Sequence, residues 1–433
     1  MTTLRFENTA AFARSLDQKD TLRPWRESFF IPKKDGVELT YLCGNSLGLQ
    51  PKRAAALLEK ERQAWQNHGV EGWFEGEEPW LAHHELCKDG LAAVAGALPS
   101  EVCPMNSLTV NMHLLLASFY QPSTTKFKIL TIAADFPSDQ YALETHLVSR
   151  ALDPAQALVE VHPRSDEMLI RNEDIIEKIV EHADSLALVW LSGVHYYTGQ
   201  LYDIAAIALK CAELGVRIGL DLAHAVGNVP LELHHWGIDC AVWCSYKYLN
   251  SGPGGVAGVF VHQKHHGSNL PRLAGWWGYD QPTRFEMTKG FVPMPGADGW
   301  QISTPNVLSL AVQRAALEPF EAVTMADIRQ KSVALTGFLA FILADFEENI
   351  KIITPRNEHE RGCQLSLLVE NGGKACFDYL VANGIIGDWR EPNCIRLAPA
   401  PLYNTFFDVW RVGQVLGQYT WASNNKSKTL PTE

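Results

Sequence analysis

The sequence predicts an α/β fold: a large domain with a mostly parallel sheet covered by helices, then a smaller α+β C-terminal domain. Three observations carry this. Between residues 127 and 245, short apolar runs alternate with segments of helical pattern. The runs are largely apolar, the mark of a parallel sheet buried on both faces. After about residue 310 the pattern changes to isolated strands among helices.

The elements follow in order. Residues 127–134 (FKILTIAA) and 158–161 read as buried strands. Residues 172–183 (NEDIIEKIVEHA) place apolar side chains at helical spacing. Residues 186–191 form a strand and 204–214 a helix, closed by Gly215 as a C-terminal cap. Residues 216–222 and 241–245 complete the strand set. Beyond the change, 308–321 is helical, 364–369 a strand, 375–382 a helix and 394–398 a strand. Thr405-x-x-Asp408 is a capping box that opens a helix over 406–419. The division this suggests is an N-terminal segment, 1–65, packing on the small domain; a large domain, 66–310; a small domain, 311–421; and a polar, flexible tail, 422–433.

Composition narrows the function classes. The 433 residues carry 37 Lys+Arg against 49 Asp+Glu, a net charge of −12, and no basic block, which disfavours a nucleic-acid or anionic-membrane partner. Nine Cys without a C-x-x-C pair suit a reducing cytoplasm better than a disulfide framework or zinc site. The first twenty residues carry Arg5, Glu7, Arg14, Asp17 and Lys19, so no apolar signal core is expected. The longest uncharged run, 102–125, holds Asn106, Asn111, His113 and Pro122 and is too polar to span a bilayer.

The chemistry concentrates at strand ends, where α/β sheets bind ligands. Asp221-Leu222-Ala223-His224 is followed by Ser245-Tyr246-Lys247. A lysine there can form a Schiff base with a carbonyl cofactor, and a carboxylate can hold a buried positive charge. Pyridoxal phosphate needs both, the second to keep its ring nitrogen protonated. Taken alone, Asp221 reads as a helix cap and Lys247 as a surface lysine; the pair in strand context reverses that. Asn106-Ser107-Leu108-Thr109 precedes an apolar helical run, and its hydroxyls and helix N–H groups suit a phosphate, or simply an N-cap. Phe136-Pro137-Ser138-Asp139 follows a strand, and a Phe there can cover a flat ring.

These segments resemble the kynureninase family of fold-type I pyridoxal-phosphate enzymes. The resemblance runs from about Tyr41 to Asp408 through eight motifs in order: YLCGNSLGLQP, NSLTVN, FPSD, SGVHYYTGQ, DLAHAVGN, WCSYKYLN, GWWG and RLAPAPLYN. It implies a pyridoxal 5'-phosphate enzyme that cleaves L-kynurenine hydrolytically to anthranilate and L-alanine, within tryptophan breakdown and NAD biosynthesis. It implies Lys247 as the Schiff-base lysine and the acid/base at Cα. Asp221 pairs with the ring nitrogen, with His224 beside it. Phe136 stacks on the ring near Ser138 and Asp139. Leu108, Thr109 and Ser192 contact the cofactor, and Tyr246 its phosphate. Trp276 reaches the phosphate region from a second subunit of a homodimer, with Thr304 close by. Arg396 grips the substrate α-carboxylate, a task suited to a bidentate guanidinium, and Ser46, Trp73, Ser303 and Thr304 complete the substrate site. The base for the water stays open between Tyr246 and the cofactor phosphate. Members that prefer 3-hydroxykynurenine carry Asn and His where Thr304 and Trp73 align, so both departures point to L-kynurenine. Trp73 reads equally well as a core residue.

Three alternatives compete. A desulfurase- or aminotransferase-like relative is the nearest, but a desulfurase needs a nucleophilic Cys on a mobile loop, and none of the nine Cys occupies such a segment. A metal hydrolase would draw on His83-His84, His234-His235 and His265-His266; adjacent residues point apart, and no H-E-x-x-H occurs, so no metal is expected. A binding protein that has lost catalysis is disfavoured by the presence of Lys247, Asp221 and Arg396 together. Gly252-Pro253-Gly254-Gly255 follows the lysine as a tight turn, and no dinucleotide or P-loop glycine motif is present.

Overall fold

The computed structural model describes residues 5–370 and 372–421; the tail expected over 422–433 lies outside them. The larger sheet has seven strands: β1 (Val102–Pro104), β2 (Lys128–Ile132), β3 (Leu158–Val161), β4 (Leu186–Ser192), β5 (Arg217–Asp221), β6 (Cys240–Trp243) and β7 (Gly258–Val261). Their order is β1-β7-β6-β5-β4-β2-β3. The pairs from β6 to β3 are parallel. Only β7 reverses, pairing antiparallel with β1 and β6. Alternate residues of each strand enter different cores: Ile129, Leu188 and Val242 on one face, Leu130, Val189 and Ala241 on the other. That is the two-period of a strand with both faces buried, and it explains the unbroken apolar runs.

Among the described residues ten helices have ten residues or more: α1 (Ala10–Lys19), α2 (Arg53–His68), α3 (Leu108–Phe119), α4 (Pro137–Ser149), α5 (Asn172–His182), α6 (Ile204–Glu213), α7 (Val307–Ala322), α8 (Met325–Leu343), α9 (Gly373–Ala382) and α10 (Phe406–Leu416). The expected elements from 127 to 245 are all present within two residues at either end. Gly215 sits at φ 63°, the left-handed cap that glycine supplies. Helices α1, α2, α4 and α8 and strands β1 and β7 carry no expectation from the sequence.

A second sheet, β8 (Ile350–Ile352), β9 (Leu365–Val369), β10 (Asp388–Arg390) and β11 (Cys394–Leu397), is antiparallel in the order β8-β9-β11-β10. Helices α8, α9 and α10 share its core with Ala13 and Leu16 of α1 and with Leu42. Thr40–Tyr41 pairs with Ile385–Ile386, and Asp17 accepts hydrogen bonds from the N–H groups of Phe406 and Phe407, so the N-terminal arm is built into this unit. The start of α10 is the capping box read from the sequence: Thr405 and Asp408 satisfy each other's backbone donors. Helix α7 faces the other way, placing Leu310, Leu317 and Phe320 in the core of the large sheet. Among the described residues no helix is long and apolar enough to cross a membrane.

Candidate functional site

The connection leaving β2 runs to β3 at the sheet edge, whereas that leaving β4 runs to β5 on the opposite side. The crevice beyond β2 and β4 is therefore the point where the winding reverses, the place where such sheets take ligands. One cavity lies there. It is lined by Leu108 and Thr109 from α3, by Asp135, Phe136, Ser138 and Asp139 after β2, and by Ser192, Val194 and Tyr196 after β4. Asp221, Ala223 and His224 after β5, and Tyr246 and Lys247 after β6, close it. Ten of the twelve residues expected to hold a cofactor thus meet in one place. Asp135, Val194, Tyr196 and Ala223 join them without having been singled out.

The phosphate-sized end is polar and neutral. The first turns of α3 and α4 both open on it, and Thr109 Oγ1 lies 2.8 Å from Ser138 Oγ. Ser107, the N-cap of α3, makes no side-chain capping bond, which leaves helix donors free for an anion. The opposite end is acidic. Asp221 ends β5, and its Oδ1 accepts the Ala223 N–H at 2.6 Å. Asp139 Oδ1 accepts from Trp190 Nε1 at 3.3 Å. Burial raises the pKa of both carboxyls, and the charge of Asp221 pushes Asp139 further, well above its ordinary value. Of the two, Asp139 is the carboxyl that takes up a proton more readily.

Lys247 Nζ sits 2.9 Å from His224 Nε2 and 5.8 Å from the centre of the Phe136 ring. Burial, then the Lys247 charge, drives the His224 pKa well below its usual value, so the imidazole is neutral. Burial likewise raises the Tyr246 hydroxyl and keeps it protonated. Phe136, N-cap of α4, meets Tyr196 edge to face at 5.2 Å.

A test of fit with pyridoxal phosphate rests on what is left unpaired. Asp139 Oδ2, Ser192 Oγ and His224 Nδ1 are buried without a hydrogen-bond partner. Buried polar groups are rarely abandoned in this way. A flat ring with a positively charged nitrogen would find Asp221, Phe136 and Lys247 lining one cavity together with these vacant groups. The residues fit the cofactor.

The remaining expected residues stand apart from this cavity. Arg396 is 1% exposed on β11 and donates from Nη1 to the Tyr196 carbonyl at 2.7 Å. Ser46 is half-buried in a turn that bonds back to Cys43. Trp276 is half-exposed and packs against Phe285. Ser303 is exposed. Thr304 and Trp73 share a second cavity of about 390 Å³ with Trp65 and Trp80, and Trp73 also packs on Trp277. A cleft of about 770 Å³ between the N-terminal arm and α10 holds mixed charges, among them Arg14, Asp17, Arg26 and Arg411, and none of the motif residues. One histidine from each of two regions, His234 and His262, meets Glu101, with His234 Nδ1 3.0 Å from its Oε1; none of the three lines the first cavity.

Residues 328–416 match the family described as the kynureninase C-terminal domain. Over 418 residues the chain is 47% identical to a kynureninase of Flavobacterium johnsoniae, covering 95% of this chain and 98% of that one. It is 49% identical over 415 residues to one of Xanthomonas campestris pv. campestris, covering 95% and 97%. Among solved structures it resembles the apo cysteine desulfurase of Thermococcus onnurineus NA1, with TM-score 0.74 and 16% identity over 87% of this chain and 94% of that one. The cysteine desulfurase CsdA of Escherichia coli gives TM-score 0.74 and 16% identity over 92% and 98%. At that identity the desulfurases share the fold alone.

Proposed function

The chain belongs to the kynureninase family, and from that premise we propose how its residues carry out the family's reaction. It is a pyridoxal-phosphate-dependent hydrolase that cleaves the Cβ–Cγ bond of L-kynurenine to give anthranilate and L-alanine. The desulfurase reading lacks a nucleophile: eight of the nine thiols are buried, and burial together with the Asp388 charge pushes the ninth, Cys43, up to about 12.

When bound, pyridoxal phosphate supplies the electron sink for bond breaking beside the substrate amine. Lys247 holds it and, once released as an amine, moves the proton at Cα. Asp221 holds the proton on the ring nitrogen. Phe136 covers the ring, and Leu108, Thr109, Ser138 and Tyr246 surround the phosphate. Arg396, with Ser46, holds the α-carboxylate. The base that activates water is Tyr246 or the cofactor phosphate; the burial that keeps Tyr246 protonated favours the phosphate. The observation that carries this reading is Lys247 Nζ 2.9 Å from a neutral His224, inside a cavity with Asp221 at its acidic end.

Further parts of the reading rest on placement. Trp276 and Thr304 lie outside their own chain's cavity, and Trp276, Phe285, Phe74 and Leu308 expose apolar surface, which supports a homodimer that completes each site with residues of the other copy. A mass in solution near 48.2 kDa, that of one chain, would reject it. The division into a large and a small domain, drawn after α7 because that helix packs on the large sheet, a cytoplasmic setting and a place in tryptophan breakdown or NAD biosynthesis belong to the same proposal. Trp73 and Thr304 leave no partner for a ring hydroxyl beyond one short side chain, so L-kynurenine is preferred over 3-hydroxykynurenine. The test is kcat/KM for both substrates, side by side. L-Kynurenine should lead, and Thr304→Asn should shift the ratio toward the hydroxylated substrate; an unmoved ratio would discard this pocket.

A further inference from the structure

Strand geometry puts three charges on one spot. Asp388 and Arg390 are two apart on β10, so both side chains leave the same face. Arg396 of β11 stands directly opposite Asp388 in the antiparallel register, where facing side chains touch. The contacts follow. Asp388 Oδ1 accepts from Arg396 Nε at 3.2 Å, and Arg396 Nη2 and Arg390 Nε each lie 2.9 Å from the same oxygen. Oδ2 accepts from Arg390 Nη2 at 3.2 Å. The Asp388 and Arg396 side chains are 9% and 1% exposed, while Arg390 reaches solvent at 36%.

One carboxylate between two guanidiniums leaves one positive charge unbalanced. The donors are also incompletely used. Arg396 Nη2 and Arg390 Nε are close to Asp388 but off the hydrogen-bond direction, and both are buried without a bonded partner. A third contact, Arg396 Nη1 on the Tyr196 carbonyl, ties the cluster to a residue that lines the cavity. The Arg396 and Arg390 charges also reach His224, adding to the depression of its pKa behind burial and Lys247.

We propose that Asp388 is the positioning residue of the substrate-carboxylate grip, fixing Arg396 by its Nε edge and bridging it to Arg390 so that the pair presents one net positive charge to the cavity. This rests on the reading of Arg396 given above. Without Asp388 the two guanidiniums repel, and Arg396 loses the contact that sets its plane. The opposing outcome is competition, in which Asp388 holds Arg396 from the substrate and its removal tightens binding. The geometry favours positioning, because the hydrogen bond to Asp388 is made by Nε, while Nη2, though 2.9 Å from the same oxygen, has no bonded partner and is left for the substrate.

The experiment uses the enzyme loaded with pyridoxal phosphate. Asp388→Ala should raise KM for L-kynurenine about tenfold, the scale of one charge-assisted contact, with kcat within about twofold and the visible absorbance of bound cofactor intact. Competition by L-alanine should weaken by the same factor, and competition by L-alaninol, which lacks the carboxylate, should not. Asp388→Glu should recover part of the loss, and Asp388→Asn, which removes the charge with little change of shape, serves if the alanine variant fails to fold. An unchanged or lowered KM in Asp388→Ala, or in Asp388→Asn with a folded protein, overturns the inference. Arg396→Ala separates the two readings: if it too leaves KM unchanged, the assignment of Arg396 has failed; if it raises KM while Asp388→Ala does not, only the role of Asp388 has failed.

Discussion

At the scale of single residues, the site was legible where one short motif brings two or more of its groups to the end of one strand. Asp221 and His224, Tyr246 and Lys247, Phe136 and Asp139 were each read as pairs, and each pair reaches the cavity together. Residues that act through an alternation or across strands were not. Asp135, just before FPSD, and Tyr196, inside SGVHYYTGQ, carry no assigned role in the sequence reading, because an aspartate and a tyrosine after a strand have ordinary structural uses. Asp388 is invisible in sequence because its partner lies eight positions away on another strand. Lys247→Ala should remove both turnover and the visible absorbance of bound cofactor. Absorbance retained in that variant would show that another lysine holds the group.

At the scale of elements, uniformly apolar runs gave away the parallel strands, since both faces of each are buried. Helix α8 stayed hidden for the converse reason. It buries Ile328, Leu335, Phe338, Leu339 and Ile342 but also Lys331, Ser332 and Thr336, so no clean polar stripe marks its period. Strand β7 is only four residues long and follows a glycine-rich turn, so its apolar run is short. Its first residue is nonetheless strict. A methyl group on Gly258 would collide with the Trp243 indole on β6. Gly258→Ala should therefore destabilise the protein by about 3 kcal/mol, the upper end for overpacking, seen as a lower midpoint in urea. A midpoint equal to that of the parent protein would mean that Trp243 has room to turn.

At the scale of the molecule, buried imidazoles set the acid limit. Burial lowers His84 and His146 to about 4 each, and neither has a full set of hydrogen-bond partners. A depressed folded-state pKa gives stability that is present above the unfolded value of about 6.5 and lost as pH falls toward 4. Each histidine should remove about 3 kcal/mol over that window. Tm should fall steeply between pH 6.5 and 4, and a flat profile would contradict the burial of these rings as neutral groups. The N-terminal arm has a different molecular consequence. It supplies a strand partner at Thr40–Tyr41, core residues Ala13, Leu16 and Leu42, and through Asp17 the acceptor for the first turn of α10. The stretch that matches the C-terminal family, 328–416, is therefore not a contiguous folding unit. Cut out alone, it would leave Ile385–Ile386 without their strand partner and the N–H groups of Phe406 and Phe407 without Asp17, with α10 held by its own capping box alone. A circular permutant that carries the arm behind α10 would travel as one piece, which makes the gene's linear order separable from the protein's modular order.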